Sequence, residues 1–212
     1  RPAAVRVQQK SASYALSALH PPLRRPRVGL HAFLRGGRLY YYESTKRYGI
    51  RRRYPMAKAE QKIELLKDIA HRFNEAHIMW ALGASMLLYF KGITSEFHDI
   101  DLMISTADVQ RVRTILSKMG EIQPPNPDPK YQTKAFMEFV IDNIDVDVMA
   151  GFSILSNGEL FDCSLQESQI VENILLETEL IPLQSPLLWC KYYRLMGRTE
   201  KVKMIEQALA NR

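Results

Sequence analysis

Two aspartates one residue apart, Asp99 and Asp101 in the stretch HDIDLMI, carry the clearest chemical signal in this sequence. On a β-strand that spacing points both carboxylates to one face and Ile100 and Leu102 to the other. Carboxylates held so close repel unless a cation sits between them. A hard ion such as Mg²⁺ suits them, because it prefers carboxylate oxygens and keeps waters and phosphates in its remaining positions. A bare Asp-x-Asp is also common on solvent-facing sheet edges.

A second alternating segment, IDVDVM, places Asp145 and Asp147 on one face and Ile144, Val146 and Val148 on the other. If its strand lies beside the first, Asp147 completes a three-carboxylate site able to hold two metal ions. Asp145 is then a support or a solvated neighbour. Upstream, Gly83, Ala84 and Ser85 separate an apolar run from an apolar helical stretch. Glycine permits a tight turn there, and the N–H groups that follow it, with the Ser85 hydroxyl, can meet phosphate oxygens. The same residues also fit an ordinary strand-to-helix turn capped by Ser85.

The elements that must position these groups can be read from periodicity. Ile63, Leu66, Ile69 and Phe73 fall at helical spacing and predict an amphipathic helix over 58–76. IMWAL reads as a buried strand, GASMLLYFKG as a turn with a short helix, and HDIDLMI as a strand. Ser105 or Thr106 is expected to cap a helix running through Met119, closed by Gly120. PPNPDP marks a loop. AFMEFVIDNIDVDVMAGF predicts two strands joined at Asp142 and Asn143, and the pair Asn157-Gly158 predicts another tight turn. Residues 186–210 predict two short helices separated near Gly197. Trp80, Phe90, Trp189 and the methionines read as core. The whole is an α/β (α+β) pattern, a mixed sheet flanked by helices with a short helical C-terminal tail.

Charge divides the chain. Of 212 residues, 1–55 carry 13 Lys or Arg against one acid, a net +12, whereas the remaining 157 carry 16 basic and 22 acidic side chains, a net −6. We therefore expect two parts: a basic extension over 1–55, disordered or foreign to the native protein, and a folded domain over 56–212. The basic segment could instead be a nucleic-acid arm or a targeting sequence. Cys163 and Cys190 make no disulfide framework, so a reducing, cytoplasmic setting is expected. The apolar runs stop short of the ~20 residues that a membrane helix needs.

The order GAS, HDIDLMI, IDVDVM resembles the small nucleotidyltransferases of the DNA polymerase beta-like superfamily. Their signature is a hydrophobic residue followed by Gly-Gly or Gly-Ser, then a strand with Asp-x-Asp, then a later third acid. Leu82 and Gly83 match its opening, Asp99 and Asp101 its paired metal ligands, and Asp147 its third acid. Ala84 stands where the family has Gly or a small polar residue, with Ser85 one place later. The resemblance spans residues 58–210, including the tail LLWCKYYRLMGRTEKVKMIEQAL.

It implies Mg²⁺-dependent transfer of a nucleoside monophosphate from an NTP to an acceptor, releasing pyrophosphate. Asp99, Asp101 and Asp147 would be the catalytic metal ligands, and Gly83, Ser85 and Lys191 would contact phosphate. Arg198 could also reach the triphosphate, Lys201 less readily, and all three cations equally suit helix solubility. His98 could touch phosphate, orient Asp99 or sit in a surface loop. The acceptor could be a small molecule, a protein or RNA, and a homodimer or a partner protein could complete the cleft. Two other classes remain open at this point: a noncatalytic nucleotide-binding or toxin–antitoxin regulatory protein, and a nucleic-acid-binding module built on the basic segment.

Overall fold

The computed structural model describes residues 59–211 together with the backbone of 29–35 and 38–44. The chain divides into two units, Arg1–Pro55 and Met56–Arg212. In the first, β1 (Gly29–Arg35) and β2 (Arg38–Ser44) form an antiparallel hairpin. The remainder of 1–55 lies outside the described residues, and so does the expectation of a disordered or non-native extension.

The second unit is built on one mixed sheet. Its helices are α1 (Ala59–Glu75), α2 (Ala84–Phe90), α3 (Val109–Leu116), α4 (Pro186–Leu195) and α5 (Thr199–Ala210). Its strands are β3 (Trp80–Leu82), β4 (Ile100–Ile104), β5 (Glu121–Ile122), β6 (Ala135–Ile141), β7 (Ile144–Ala150), β8 (Ser153–Ser156), β9 (Glu159–Asp162), β10 (Ile170–Leu176) and β11 (Glu179–Gln184). Seven of them form the sheet in the order β10-β11-β3-β4-β7-β6-β5, and β8 and β9 make a separate hairpin. Parallel pairs join β11 to β3 and β4 to β7, and the other neighbours are antiparallel.

The centre of the sheet forms because β4 and β7 each alternate. Ile100, Leu102 and Ile104 with Val146 and Val148 are all buried and share one side. On that side α1 contributes Leu66, Ile69 and Phe73, and α3 contributes Val112 and Leu116. Phe73 meets Trp80 edge-on at 5.6 Å. Lys62, buried on α1, donates to the Phe97 carbonyl at 3.2 Å and lies 5.3 Å from that ring's centroid, tying α1 to the loop that leads into β4.

Local turn chemistry fixes the registers. Asp142 and Asn143 both have positive φ, 49° and 65°, the two-residue hairpin geometry whose twist suits paired strands. Asn157 and Gly158 repeat it between β8 and β9, at 52° and 81°. The Ser105 hydroxyl accepts from Ala107 N and caps a short 3-10 turn, from which α3 continues only to Leu116. Tight turns follow through Met119 to Gly120, whose N–H donates to Leu116 O. The tail folds as two helices with Gly197 at φ 70° between them.

Three strands add to the sequence reading. The β10–β11 hairpin extends the sheet beyond β3, and two-residue β5 ends it beyond β6. Among the described residues no helix is long and apolar enough to cross a membrane.

The β6–β7 turn sets which residue of β7 stands beside each residue of β6, with Glu138 opposite Asp147, so a β-branched side chain at a positive-φ position there should be costly. Asn143→Val should lower stability by about 1–2 kcal/mol in urea unfolding of the chain. An unchanged midpoint would mean that the register is held without the turn.

Candidate metal and nucleotide site

The parallel pairing of β4 with β7 sets Asp101 directly opposite Asp147. Ile100 and Val146 face the core, so the pleat turns both aspartates to the other side of the sheet. Asp99 sits one residue ahead of β4, in the bend that enters it, and still reaches the same place. Asp99, Asp101 and Asp147, all half-buried, each bring an oxygen to within 4.8 Å of the other two. That is the convergence expected from the spacing of the two motifs. Asp145 lies two residues earlier on β7 and is exposed.

Crowding and burial make this a strained set of charges. Burial is the largest influence on Asp101 and pushes its pKa well above the ordinary carboxylate value; the charges of Asp99 and Asp147 and a hydrogen bond with Asp99 push it further, against a smaller opposing pull from Arg198. A divalent cation among these oxygens would reverse that cost, and three hard oxygen donors suit such an ion. The cluster therefore fits a metal ion by the chemistry of its donors.

The Gly83–Ser85 turn borders the cluster. Gly83 N–H donates to Asp101 O at 3.0 Å, so the turn is stitched to the strand that bears the acid. Ser85 is buried, and its hydroxyl donates to Asp99 Oδ1 at 3.4 Å. It thus reaches an acid of the cluster, a contact its place in the motif did not specify. Ala84 has φ 46°, a left-handed conformation in which glycine is at ease and alanine is not. The turn thus keeps a glycine-like backbone although residue 84 carries a methyl group.

The predicted cations separate. Lys191 is exposed on α4, and its charge acts on the thiol of Cys163, whose pKa burial raises to about 11. Arg198, in the link between α4 and α5, is the cation whose charge acts on Asp101. Its guanidinium lies 5.8 Å from the ring centroid of buried Tyr193, and its backbone N–H donates to Tyr193 O at 2.8 Å. Burial, then the nearby Asp101, drives the Tyr193 hydroxyl's pKa upward, so it stays protonated. His98 is exposed in the loop before Asp99, and Lys201 is half-buried on α5. Cys163 and Cys190 are buried free thiols. Tyr193 is the neighbour that sequence reasoning missed, since nothing local distinguishes it from Tyr192.

No family model matches the chain, and no curated protein matches it in sequence. Solved structures do resemble it. A candidate nucleotidyltransferase from Thermotoga maritima aligns with a TM-score of 0.58 at 22% identity, over 74% of this chain and 97% of its own. The antibiotic-resistance factor ANT(2'')-Ia, in its solution structure, aligns with a TM-score of 0.52 at 11% identity, over 72% of this chain and 86% of its own. In a crystal structure ANT(2'')-Ia is in complex with adenylyl-2''-tobramycin, and that chain aligns with a TM-score of 0.50 at 11% identity, over 70% of this chain and 90% of its own. At these identities the likeness is one of fold: the described part of the second unit shares the fold of the candidate nucleotidyltransferase, with three aspartates gathered on one side of its central sheet.

Proposed function

We propose that this chain transfers a nucleoside monophosphate from an NTP to an acceptor hydroxyl or phosphate, using Mg²⁺. The observation that carries this reading is the convergence of Asp99, Asp101 and Asp147 on a fold shared with nucleotidyltransferases. Asp99 and Asp101 are the ligands for the ions that accompany the triphosphate, and Asp147 completes the set on the acceptor side. Mg²⁺ ions bound there, two in number, would neutralise the triphosphate and polarise its α-phosphoryl group.

The turn that Gly83 opens, with the Ser85 hydroxyl, holds the outer phosphates, which aligns the α-phosphorus with the acceptor. The acceptor oxygen forms a new bond to that phosphorus as the bond to the bridging oxygen breaks, and the pair of electrons leaves with pyrophosphate. Asp147 helps to draw the acceptor's proton. Arg198 rather than Lys191 is the cation that meets the developing negative charge, because its charge already acts on Asp101. The glycine-like backbone at Ala84 favours a working phosphate turn over a noncatalytic one. A fold shared with a protein seen in complex with adenylyl-2''-tobramycin supports a small hydroxyl-bearing acceptor.

The test is transfer from each α-labelled NTP, with Mg²⁺, into a fractionated lysate. Asp99→Ala, Asp101→Ala and Asp147→Ala should each lower the labelling rate by at least about 100-fold while the circular dichroism of the chain is retained. Labelling that persists in all three variants would refute the assignment.

The raised pKa of Asp101 gives a second expectation. The folded state favours its protonated form, so at neutral pH its ionisation costs metal-free stability, and that cost fades as pH falls through the raised folded value. Asp101→Asn should therefore raise the melting temperature of the chelator-treated protein at pH 7.5, with a smaller gain at pH 5. The same variant should lose the stabilisation that Mg²⁺ gives the parent protein. A lower melting temperature for chelator-treated Asp101→Asn at pH 7.5 would contradict this account of the cluster.

A further inference from the structure

Trp189 lies where a purely space-filling residue would be a poor choice. A Cβ built on Gly83 would fall 2.3 Å from its Cζ2, 2.7 Å from its Cε2 and 3.0 Å from its Nε1. The indole therefore occupies the space that any side chain at position 83 would need, and residue 83 is glycine because of this close approach.

The ring is held on every side. Its Nε1 donates to Gln184 Oε1 at 2.9 Å, and Gln184 is wholly buried. Gln184 Nε2 in turn donates to Gln169 Oε1 at 3.2 Å, and that oxygen also accepts from Gln166 N. Tyr192 meets the indole edge-on at 5.5 Å, Tyr193 lies at 5.6 Å, and Phe152 stacks at 6.5 Å. A buried amide is costly unless it is fully hydrogen-bonded, and a leucine or phenylalanine at 189 would need none. What the amide secures is the orientation of the indole.

On its other flank the turn is fixed by the hydrogen bond from Gly83 N–H to Asp101 O. Gly83 is thus clamped between the acid-bearing strand and a ring that cannot rotate. Ala84 follows in its left-handed conformation, and Ser85 then reaches Asp99. A shift of the indole would move the turn relative to the acids.

We infer that Trp189, oriented by Gln184, is a positioning residue for nucleotide binding: the ring sets the distance of the Gly83–Ser85 turn from Asp101 and so the seat of the outer phosphates. This rests on the reading that the turn takes phosphate. It also makes Trp189 an optical reporter, because the ring abuts the turn that the nucleotide would touch.

The test uses the full chain, Mg²⁺ and the α,β-methylene analogues of the four NTPs, with dissociation constants from equilibrium dialysis and melting temperatures measured in parallel. Gly83→Ala should weaken analogue binding about 100-fold, as expected for a misplacement on the order of 1 Å. Trp189→Phe, which retracts the ring and strands Gln184 Oε1, should weaken it about tenfold. The double variant should bind better than Gly83→Ala alone, since the smaller ring vacates the space the new Cβ needs, so the two effects should be strongly non-additive.

A variant that fails to fold would show in its melting curve, and the emission of a Trp80→Phe chain then decides. Its single remaining tryptophan should change intensity or wavelength on saturation with the analogue. Multiplicative effects in folded variants, or for want of them an unchanged Trp189 emission at saturation, would overturn the proposal while leaving phosphate binding intact. Failure of every analogue to bind the unmodified chain would remove the phosphate reading and this inference together.

Discussion

Mutual repulsion of three carboxylates is the constraint around which this domain is organised. Two unit charges 4.8 Å apart repel by about 3.5 kcal/mol at an effective dielectric of about 20, and the cluster contains three pairs of oxygens within that distance when fully ionised. What holds them together is the reverse face of the same two strands. Ile100, Leu102, Ile104, Val146 and Val148 are buried almost completely, each contributing about 1.5–3 kcal/mol. A two-residue slip between β4 and β7 would leave those side chains on the core side but separate Asp101 from Asp147. The site therefore depends on the β4–β7 register, while the hairpin at Asp142 and Asn143 fixes β7 against β6 on its other edge.

The repulsion that remains has a chemical use. Asp101 responds by favouring its proton, and a divalent ion is the alternative that relieves the same stress. Structure around the cluster is correspondingly rigid. Gly83 is hydrogen-bonded to the backbone of Asp101, Ser85 to the carboxylate of Asp99, and Trp189 closes the turn from the side of α4. Lys62 anchors the loop that delivers Asp99. On the proposed function, a site built on strand pairing and a clamped turn would meet a triphosphate with little rearrangement, which is what transfer chemistry asks of its ligand set.

Much of this was legible in the sequence because it is local. Alternation gave β4 and β7, positive-φ turn residues gave the two hairpins, and Gly197 gave the break in the tail. The carboxylate cluster followed from two short motifs once their strands were taken as neighbours. The β10–β11 hairpin was not legible: a bulge between Ile170 and Glu172 breaks its alternation, Pro182 interrupts β11, and its link to the sheet is the single parallel pair of Leu183 with Leu82. Nor could spacing tell Lys191 from Arg198, since both belong to the tail and only its docking decides which cation meets Asp101. The contact of Trp189 with Gly83 joins residues distant in the chain and leaves no periodic trace, so the packing reason for a glycine at 83 could not be read from the sequence.

The most direct measurement is anomalous diffraction from crystals of residues 56–212 grown with Mn²⁺ and an α,β-methylene NTP analogue. The account predicts manganese peaks within coordination distance of Asp99, Asp101 and Asp147, with the analogue's outer phosphates against Gly83 and Ser85. Ordered analogue with manganese remote from those three aspartates, or crystals at saturating Mn²⁺ with no anomalous peak among them, would contradict it.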